Sequence, residues 1–516
     1  MLKISPINLY IFLLSIFSLF FSKLYAQDWK LTPENITRAF ERQAEMVSRN
    51  PLRPAYHLVP PAGGMGDPNG GIYYNGYYHI FYGLAPFSPS LGGWFWAHAR
   101  SRDLVHWEHM KPGLTPAYDL GLQSVVSGST IIAGNGQPLA FYCAGKDGSM
   151  KFWRAEFTNK DLSEWDHKGK NPVLTLAQPG IPDFDSFWRD PFVFSADGRT
   201  FLIACADLLN ESYVPIPIFE ARNEELTEWD YKGILFTVPK YRYRNLEVPE
   251  LRKLDGKWIL LASTDAPVDR TVYFTGEFDT KTLKFIPDNE GILDYSSHYY
   301  AQETIPEENG DLYVMAWIPG WDRPFLPDYR ADQVKNNSKY QNGCFALPRK
   351  LSIDKDGNLI REPVDALKEL RTDHFSVTKR DLPVDGPETG FVVLDEVRGD
   401  QLEIRLDLDL NTASFCGLNV LCDENGKGGC YIIWSGDVLN VEGVKVPMPE
   451  WKSGASLDLQ IFIDKQIVEV FVNGGKYSVT RLVNNKYING DRVALTSLGG
   501  TAKLKYLNAW KIKTIN

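Results

Sequence analysis

Three acidic stretches, far apart in the chain, carry residue types that can make and break covalent bonds: Gly63 to Gly71 around Asp67, Trp188-Arg189-Asp190-Pro191, and Leu246-Glu247-Val248-Pro249-Glu250. A carboxylate can attack a carbon as a nucleophile, protonate a leaving oxygen or activate water. Asp67 alone says little, because Asp-Pro-Asn-Gly is also a favourable turn sequence. It gains weight because Val126-Ser127-Gly128-Ser129, the Asp190 stretch and the Glu247 stretch each fall in a different copy of a repeat.

The repeat is marked by SRDLVHWEH at Trp107, NKDLSEWDHKG at Trp165 and NEELTEWDYKG at Trp229, with a weaker copy, FDTKTLKF, at Phe285. The copies recur at roughly 60 residues. Between them lie short alternating runs bounded by turn residues, such as Tyr77 to Tyr82, Ala140 to Cys143, Phe201 to Cys205 and Trp258 to Ala262, which read as antiparallel strands. Four-stranded units that cannot bury both faces alone must stack on their neighbours around an axis, so an all-β fold with a five-bladed β-propeller is expected over residues 51–358. From about Phe375 the repeat stops and new strands begin, and residues 370–516 read as a β-sandwich with a hairpin turn at Asp464-Lys465-Gln466. Residues 27–50 suit an amphipathic helix with Ile36, Ala39, Phe40 and Met46 on one side.

A chain of 516 residues with 44 % hydrophobic residues, 14 Trp and 25 Tyr is long enough for two cores and rich in ring faces suited to flat apolar ligands such as sugars. The net charge of −10, without a Lys/Arg block, argues against nucleic acid and anionic membranes as partners. Residues 1–26 read as an export signal, with Lys3 before an apolar run from Leu9 to Phe21 and a polar switch at Gln27, which predicts a periplasmic or extracellular mature chain. The alternative is an uncleaved anchor. Six cysteines show no zinc pattern. Cys143 and Cys205 read as buried thiols, while Cys422 and Cys430 flank a Gly-rich turn and could pair in an oxidising compartment.

Taken together, the ordered stretches resemble glycoside hydrolase family 32, the invertases, inulinases and levanases, over nearly all of the sequence after residue 26. The family motif WMNDPNG is similar to Gly64–Gly70, RDP is intact at Arg189–Pro191, and ECPD is similar to Glu247–Glu250. Further family-like stretches are AHARSRDLVHW from Ala97, DYSSHYYAQ from Asp294, ALPRKL from Ala346 and LQIFIDKQIVEVFVNGG from Leu459. The resemblance implies a five-bladed propeller followed by a C-terminal β-sandwich and retaining cleavage of β-fructofuranosidic bonds without a cofactor or metal. It assigns Asp67 as nucleophile, Glu247 as general acid and base, and Asp190 as transition-state stabiliser. Asn69, Trp94, Trp96, Ser127 and Arg189 are then expected around a fructan or fructo-oligosaccharide substrate. Retention requires the two reacting carboxyls to stand about 5 to 5.5 Å apart.

The surroundings of the acidic triad depart from the family. Gly64 and Gly66 stand where Trp and Asn are usual, and Gly83 and Ala85 replace a Gln and an Asn in the FYQ-x-NP segment. Val248 and Glu250 replace the Cys and Asp of ECPD. Each lost neutral hydrogen bond is worth about 0.5–1.5 kcal/mol, so the pocket that holds the terminal sugar is expected to be reshaped. Two other readings stay open on these motifs: a weakly catalytic or non-catalytic fructan-binding protein on the same scaffold, and a fructosyltransferase or other furanosidase.

Overall fold

The computed structural model describes residues 38, 41, 44–45 and 47–515, apart from 86–93, 112, 118–121, 123, 147–148, 168–170, 185–186, 320–342, 383–389, 450–454, 485–486 and 489. The expected export signal lies outside the described residues, as do Ile36, Ala39, Phe40 and Met46 of the predicted helix. Residues 38, 41, 44, 45, 47 and 48 are helical.

Five antiparallel sheets follow in chain order. Blade I runs through Gly64–Tyr74, Tyr77–Ala85, Phe95–Ser101 and Trp107–His109. Blade II has Gly128–Ile132, Pro138–Lys146, Ser149–Phe157 and Trp165–Asp166, and blade III has Arg189–Ala196, Arg199–Cys205, Tyr213–Ala221 and Trp229–Pro239. Blade IV is Glu247–Leu254, Lys257–Thr264, Arg270–Asp279 and Lys284–Asp294. Blade V is Tyr300–Pro306, Leu312–Ile318, Arg349–Ile353 and Leu359–Pro363, with Cys344–Phe345 pairing beside its second strand. The first strands of consecutive blades touch one another in order, and that of blade V touches that of blade I, which closes the ring.

The sequence repeat marks one turn, used four times. Trp107, Trp165 and Trp229 open the outermost strands of their blades and do not end them, and Phe285 is second in its own. Ahead of each sits a leucine in left-handed backbone: Leu104, Leu162, Leu226 and Leu283 have φ of 67°, 52°, 54° and 54°. That conformation costs a non-glycine residue about 1–3 kcal/mol. All four side chains are buried, and burying a leucine returns about 1.5–3 kcal/mol. The turn is stitched by a polar residue just upstream: Asn159 Oδ1 accepts the Ser163 N–H and Asn223 Oδ1 accepts the Thr227 N–H, both at 3.0 Å.

Beyond a 3-10 turn at Asp365–Leu370, the chain forms a sandwich of a seven-stranded and a six-stranded sheet. Its core is alternating Leu, Ile and Val, such as Leu402, Ile404, Leu406 and Leu408 against Leu418, Val420 and Leu495. The suggested Cys422–Cys430 pairing does not form, and both cysteines are free. Register explains it: Cys430 stands opposite Val420, while Cys422 stands opposite Arg492 on the other neighbouring strand.

Propeller and sandwich are joined by buried charge. Asp464, at the turn of the hairpin read from sequence, accepts the N–H groups of Ala55, Tyr56 and His57 at 2.7, 2.9 and 3.1 Å. The His57 ring lies between Asp464 at 2.7 Å and Glu469 at 3.0 Å. Glu469 also pairs with Arg349 of blade V at 2.7 Å, and Arg349 reaches Asp294 of blade IV at 3.0 Å. Phe462 and Phe471 pack into the same apolar cluster as Tyr56 and Phe345, so the charges sit in a buried seam. Burial alone would lower the His57 pKa, but hydrogen bonds to the two carboxylates outweigh it and raise the value to about 9. Burial would raise Glu469, but Arg349 and His57 hold it below the usual carboxylate range.

The signs follow from linkage. Because His57 is raised in the fold, its contribution is complete below about pH 6.5 and is lost as pH climbs through about 9. Glu469 is depressed, so its contribution is lost only as pH falls through the acid range. The melting temperature of wild type should therefore fall toward pH 9 and above, and His57→Gln should flatten that alkaline slope. Arg349→Met, which removes the guanidinium that buried Asp294 and Glu469 share, should cost about 3–5 kcal/mol in chemical denaturation.

Candidate active site

In blades III, IV and V the opening residue of the first strand, Arg189, Glu247 or Tyr300, lines one cavity, and the local backbone aims it there. In blade III Arg189 pairs with Cys205 but Phe192 with Ile203. In blade IV Glu247 pairs with Ser263 but Glu250 with Leu261, and in blade V Tyr300 pairs with Trp317 but Glu303 with Met315. Each strand thus carries a bulge just after its first residue. The next residue is left-handed in all three: Asp190 at φ 59°, Val248 at 44° and Ala301 at 51°. Bulges of this kind turn a side chain out of the sheet plane. They are held by specific bonds: the Val248 N–H to Asp190 Oδ2 at 3.0 Å, the Ala301 N–H to Ser263 Oγ at 2.9 Å, and Gln302 Nε2 to the Val248 carbonyl at 2.8 Å.

Asp67 is reached differently. Gly64–Gly70 is not the turn that Asp-Pro-Asn-Gly suggests but part of a strand with register shifts between Met65 and Pro68 and between Asn69 and Ile72. Those shifts set Asp67 at the mouth of the ring. Asn69 Nδ2 donates to the Asp67 carbonyl at 2.8 Å and its Oδ1 accepts the Gly128 N–H at 3.0 Å, which ties blade I to blade II. Ser127 Oγ donates to Asp67 Oδ2 at 3.1 Å.

A cavity of about 340 Å³ is lined by all three acidic residues, Asp67, Asp190 and Glu247, each from a different blade. Asn69, Ser127, Arg189 and Trp94 line it as well. Arg189 forms an ion pair with Glu247 and stands 3.7 Å from Asp190. Burial would lower the Arg189 pKa, but Asp190 and the other titratable groups around it together raise it by more, so the guanidinium stays charged. Asp190 is raised, first by burial and then by the Asp67 charge, while Arg189 and the Val248 N–H pull it back. Glu247 accepts from Tyr300 OH at one oxygen and from Asn245 Nδ2 at the other, the latter at 3.2 Å. Asn245 is buried, and its Oδ1 accepts the Asp265 N–H at 3.1 Å.

One expected pocket residue belongs elsewhere. Trp96 is fully buried against Phe81 and Tyr142, its indole N–H donating to the Val126 carbonyl at 3.1 Å, and it does not line the cavity. It packs between blades I and II because the strand starting at Phe95 turns that ring into the apolar seam. Glu250 also lies outside the lining, buried beneath the cavity, where it accepts the Thr304 N–H at 3.1 Å and burial raises its pKa to about 7. Tyr300 and Asn245 were given no role from sequence. The Tyr300 signal was available: DYSSHYYAQ puts it at the head of the fifth blade, the place Arg189 and Glu247 hold in theirs.

Residues 57–363 match the glycosyl hydrolases family 32 N-terminal domain and residues 366–511 the family 32 C-terminal domain. A sucrose-6-phosphate hydrolase of Escherichia coli is 26 % identical over 83 % of this chain and 88 % of its own. A raffinose invertase of the same organism is 27 % identical over 84 % and 89 %. In fold the chain is similar to fructan 1-exohydrolase IIa from Cichorium intybus, solved with 1-kestose, at TM-score 0.78 and 20 % identity over 90 % and 98 % of the two chains.

Tyr300→Phe removes one donor to Glu247 and leaves the ring in place. A hydrogen bond to a charged group is worth about 1.5–3 kcal/mol, so kcat/KM should fall by roughly ten- to a hundredfold while the melting temperature stays within a few degrees. Steady-state kinetics beside a thermal melt checks both.

Proposed function

The chain belongs to glycosyl hydrolase family 32, and from that premise we propose retaining hydrolysis of β-fructofuranosidic bonds in fructans or sucrose-type oligosaccharides. The observation that carries it is the convergence of Asp67, Asp190 and Glu247, from three blades, on one cavity. An Asp67 oxygen attacks the anomeric carbon as the bond to the leaving oxygen breaks, and that oxygen takes its proton from Glu247. Glu247, now a carboxylate, takes a proton from water, whose oxygen displaces Asp67 and regenerates both carboxyls. Two inversions give retention. Asp190, fixed by the Val248 N–H and beside Arg189, binds glycone hydroxyls more tightly as charge develops on the ring.

Relatives act on phosphorylated and on neutral sugars, and the pocket favours the neutral ones. Among the described lining residues Arg189 is the one cation, and it is committed to Glu247 and Asp190. Among the described residues a phosphate would meet three carboxylates without a cation of its own, so sucrose should be turned over in preference to sucrose 6-phosphate. We also propose export, on the strength of the apolar run Leu9–Phe21 and the polar switch at Gln27.

Asp67→Ala should abolish turnover of sucrose and fructan, because no glycosyl-enzyme can form. Glu247→Ala should be nearly as damaging on these poor leaving groups but should cleave an activated aryl fructoside, with azide restoring turnover and giving a fructosyl azide of retained configuration. A wild type that binds fructan, turns over no furanoside and keeps that binding after Asp67→Ala would contradict the hydrolase reading. Amino-terminal sequencing of the secreted protein should begin near Gln27, and soluble cytosolic protein retaining Met1 would contradict export.

A further inference from the structure

The glycines that depart from the family do not leave a hole. A β-carbon placed on Gly66 would sit 3.0 Å from Cζ3 of Trp94, and one on Gly83 would sit 3.5 Å from its Cε3. Gly66 and Gly83 both line the cavity, as does Trp94 itself. The indole therefore lies across the two positions, over the space that side chains there would need. The Trp94 backbone is held in place, its N–H donating to Ser124 Oγ at 3.2 Å and its carbonyl accepting the Val125 N–H at 2.8 Å. Val125 and Val126 continue the cavity lining beside it. The described polar side chains of the pocket, in contrast, are gathered around Asp67 and Glu247 and bonded to one another.

From this packing we infer that Trp94, seated on Gly66 and Gly83, is the specificity-determining wall of the glycone pocket. It replaces hydrogen-bonding recognition of one end of the furanose with apolar contact. The substrate class this selects is a furanosyl group recognised by its hydroxyls only on the carboxylate side, with a primary hydroxymethyl against the indole that can be deoxygenated without loss. The inference rests on the proposed function for its substrate, but its packing claim stands on geometry alone. A site built to hydrogen-bond a hydroxyl rejects the analogue lacking it by about 10⁴–10⁵, whereas an apolar wall discriminates by far less.

Two arms test it, and they fail separately. The first is a stability cycle that needs no activity. Gly66 has ordinary backbone geometry, so Gly66→Asn should be destabilised only by crowding against Trp94. Its melting temperature should fall, and Trp94→Ala in the same chain should recover most of the loss. Additive effects of the two substitutions would overturn the packing claim. The second arm compares sucrose with analogues whose fructosyl group lacks the C1 or the C6 hydroxyl. Wild type should process at least one within about tenfold of sucrose, and the Gly66→Asn, Trp94→Ala double variant should shift that ratio at least roughly tenfold toward the hydroxylated substrate. Rejection of both analogues by more than about 10³-fold, with sucrose still cleaved, would overturn the specificity claim and leave the hydrolase reading intact. Absence of any sucrose or fructan turnover, with the stability cycle coupled, would instead overturn the reading and with it the substrate class.

Discussion

The structure depends on ring closure under strain. Five sheets whose first strands touch in a circle can bring side chains from distant parts of the chain to one point, but a regular strand keeps its side chains within the alternation of the sheet. The bulges after Arg189, Glu247 and Tyr300, with left-handed Asp190, Val248 and Ala301, break that alternation at the mouth of the ring. Each such residue costs about 1–3 kcal/mol. A hydrogen bond donated by Gln302, and backbone N–H groups donated to Ser263 Oγ and to the Asp190 carboxylate, hold the bulges. The Asp190 carboxylate that the proposed chemistry uses is thus also a brace for the neighbouring blade.

The same economy runs through the rest of the site. Asn69 spends its amide linking blade I to blade II at the level of Asp67, and Asn245 links Glu247 to the backbone at Asp265. Away from the carboxylates the pocket changes character, and an indole resting on two glycines replaces polar side chains. The resulting cavity separates an electrostatic half, where charge develops in the transition state, from an apolar half that shapes the glycone.

How much of this was legible in the sequence depended on period and chemistry. The leucine turn before each outermost strand repeats because its strain is tolerated only where the side chain is buried, so its copies at Leu104, Leu162 and Leu226 announced the blades. The acidic triad was legible because the stretches flanking it resemble family motifs in the same order along the chain. Trp96 was misplaced, since one aromatic two residues from another gives no sign of which faces the cavity and which the seam between blades. Whether Cys422 and Cys430 pair stayed open in the sequence because strand register, which puts Arg492 and Val420 opposite them, is not visible in their spacing. The buried charges joining the domains were hidden for a different reason: His57, Arg349 and Glu469 lie hundreds of residues apart at the extremes, and only the packed sandwich brings them together.

The central claim is that Asp67 becomes covalently bonded to the sugar. It is tested most directly by incubating the Glu247→Ala variant with an activated aryl fructoside, quenching in acid and mapping the modified peptide by mass spectrometry. The account predicts one fructosyl unit in ester linkage on the peptide that contains Asp67. Product formation without any such adduct, or release of product with inverted anomeric configuration, would contradict it.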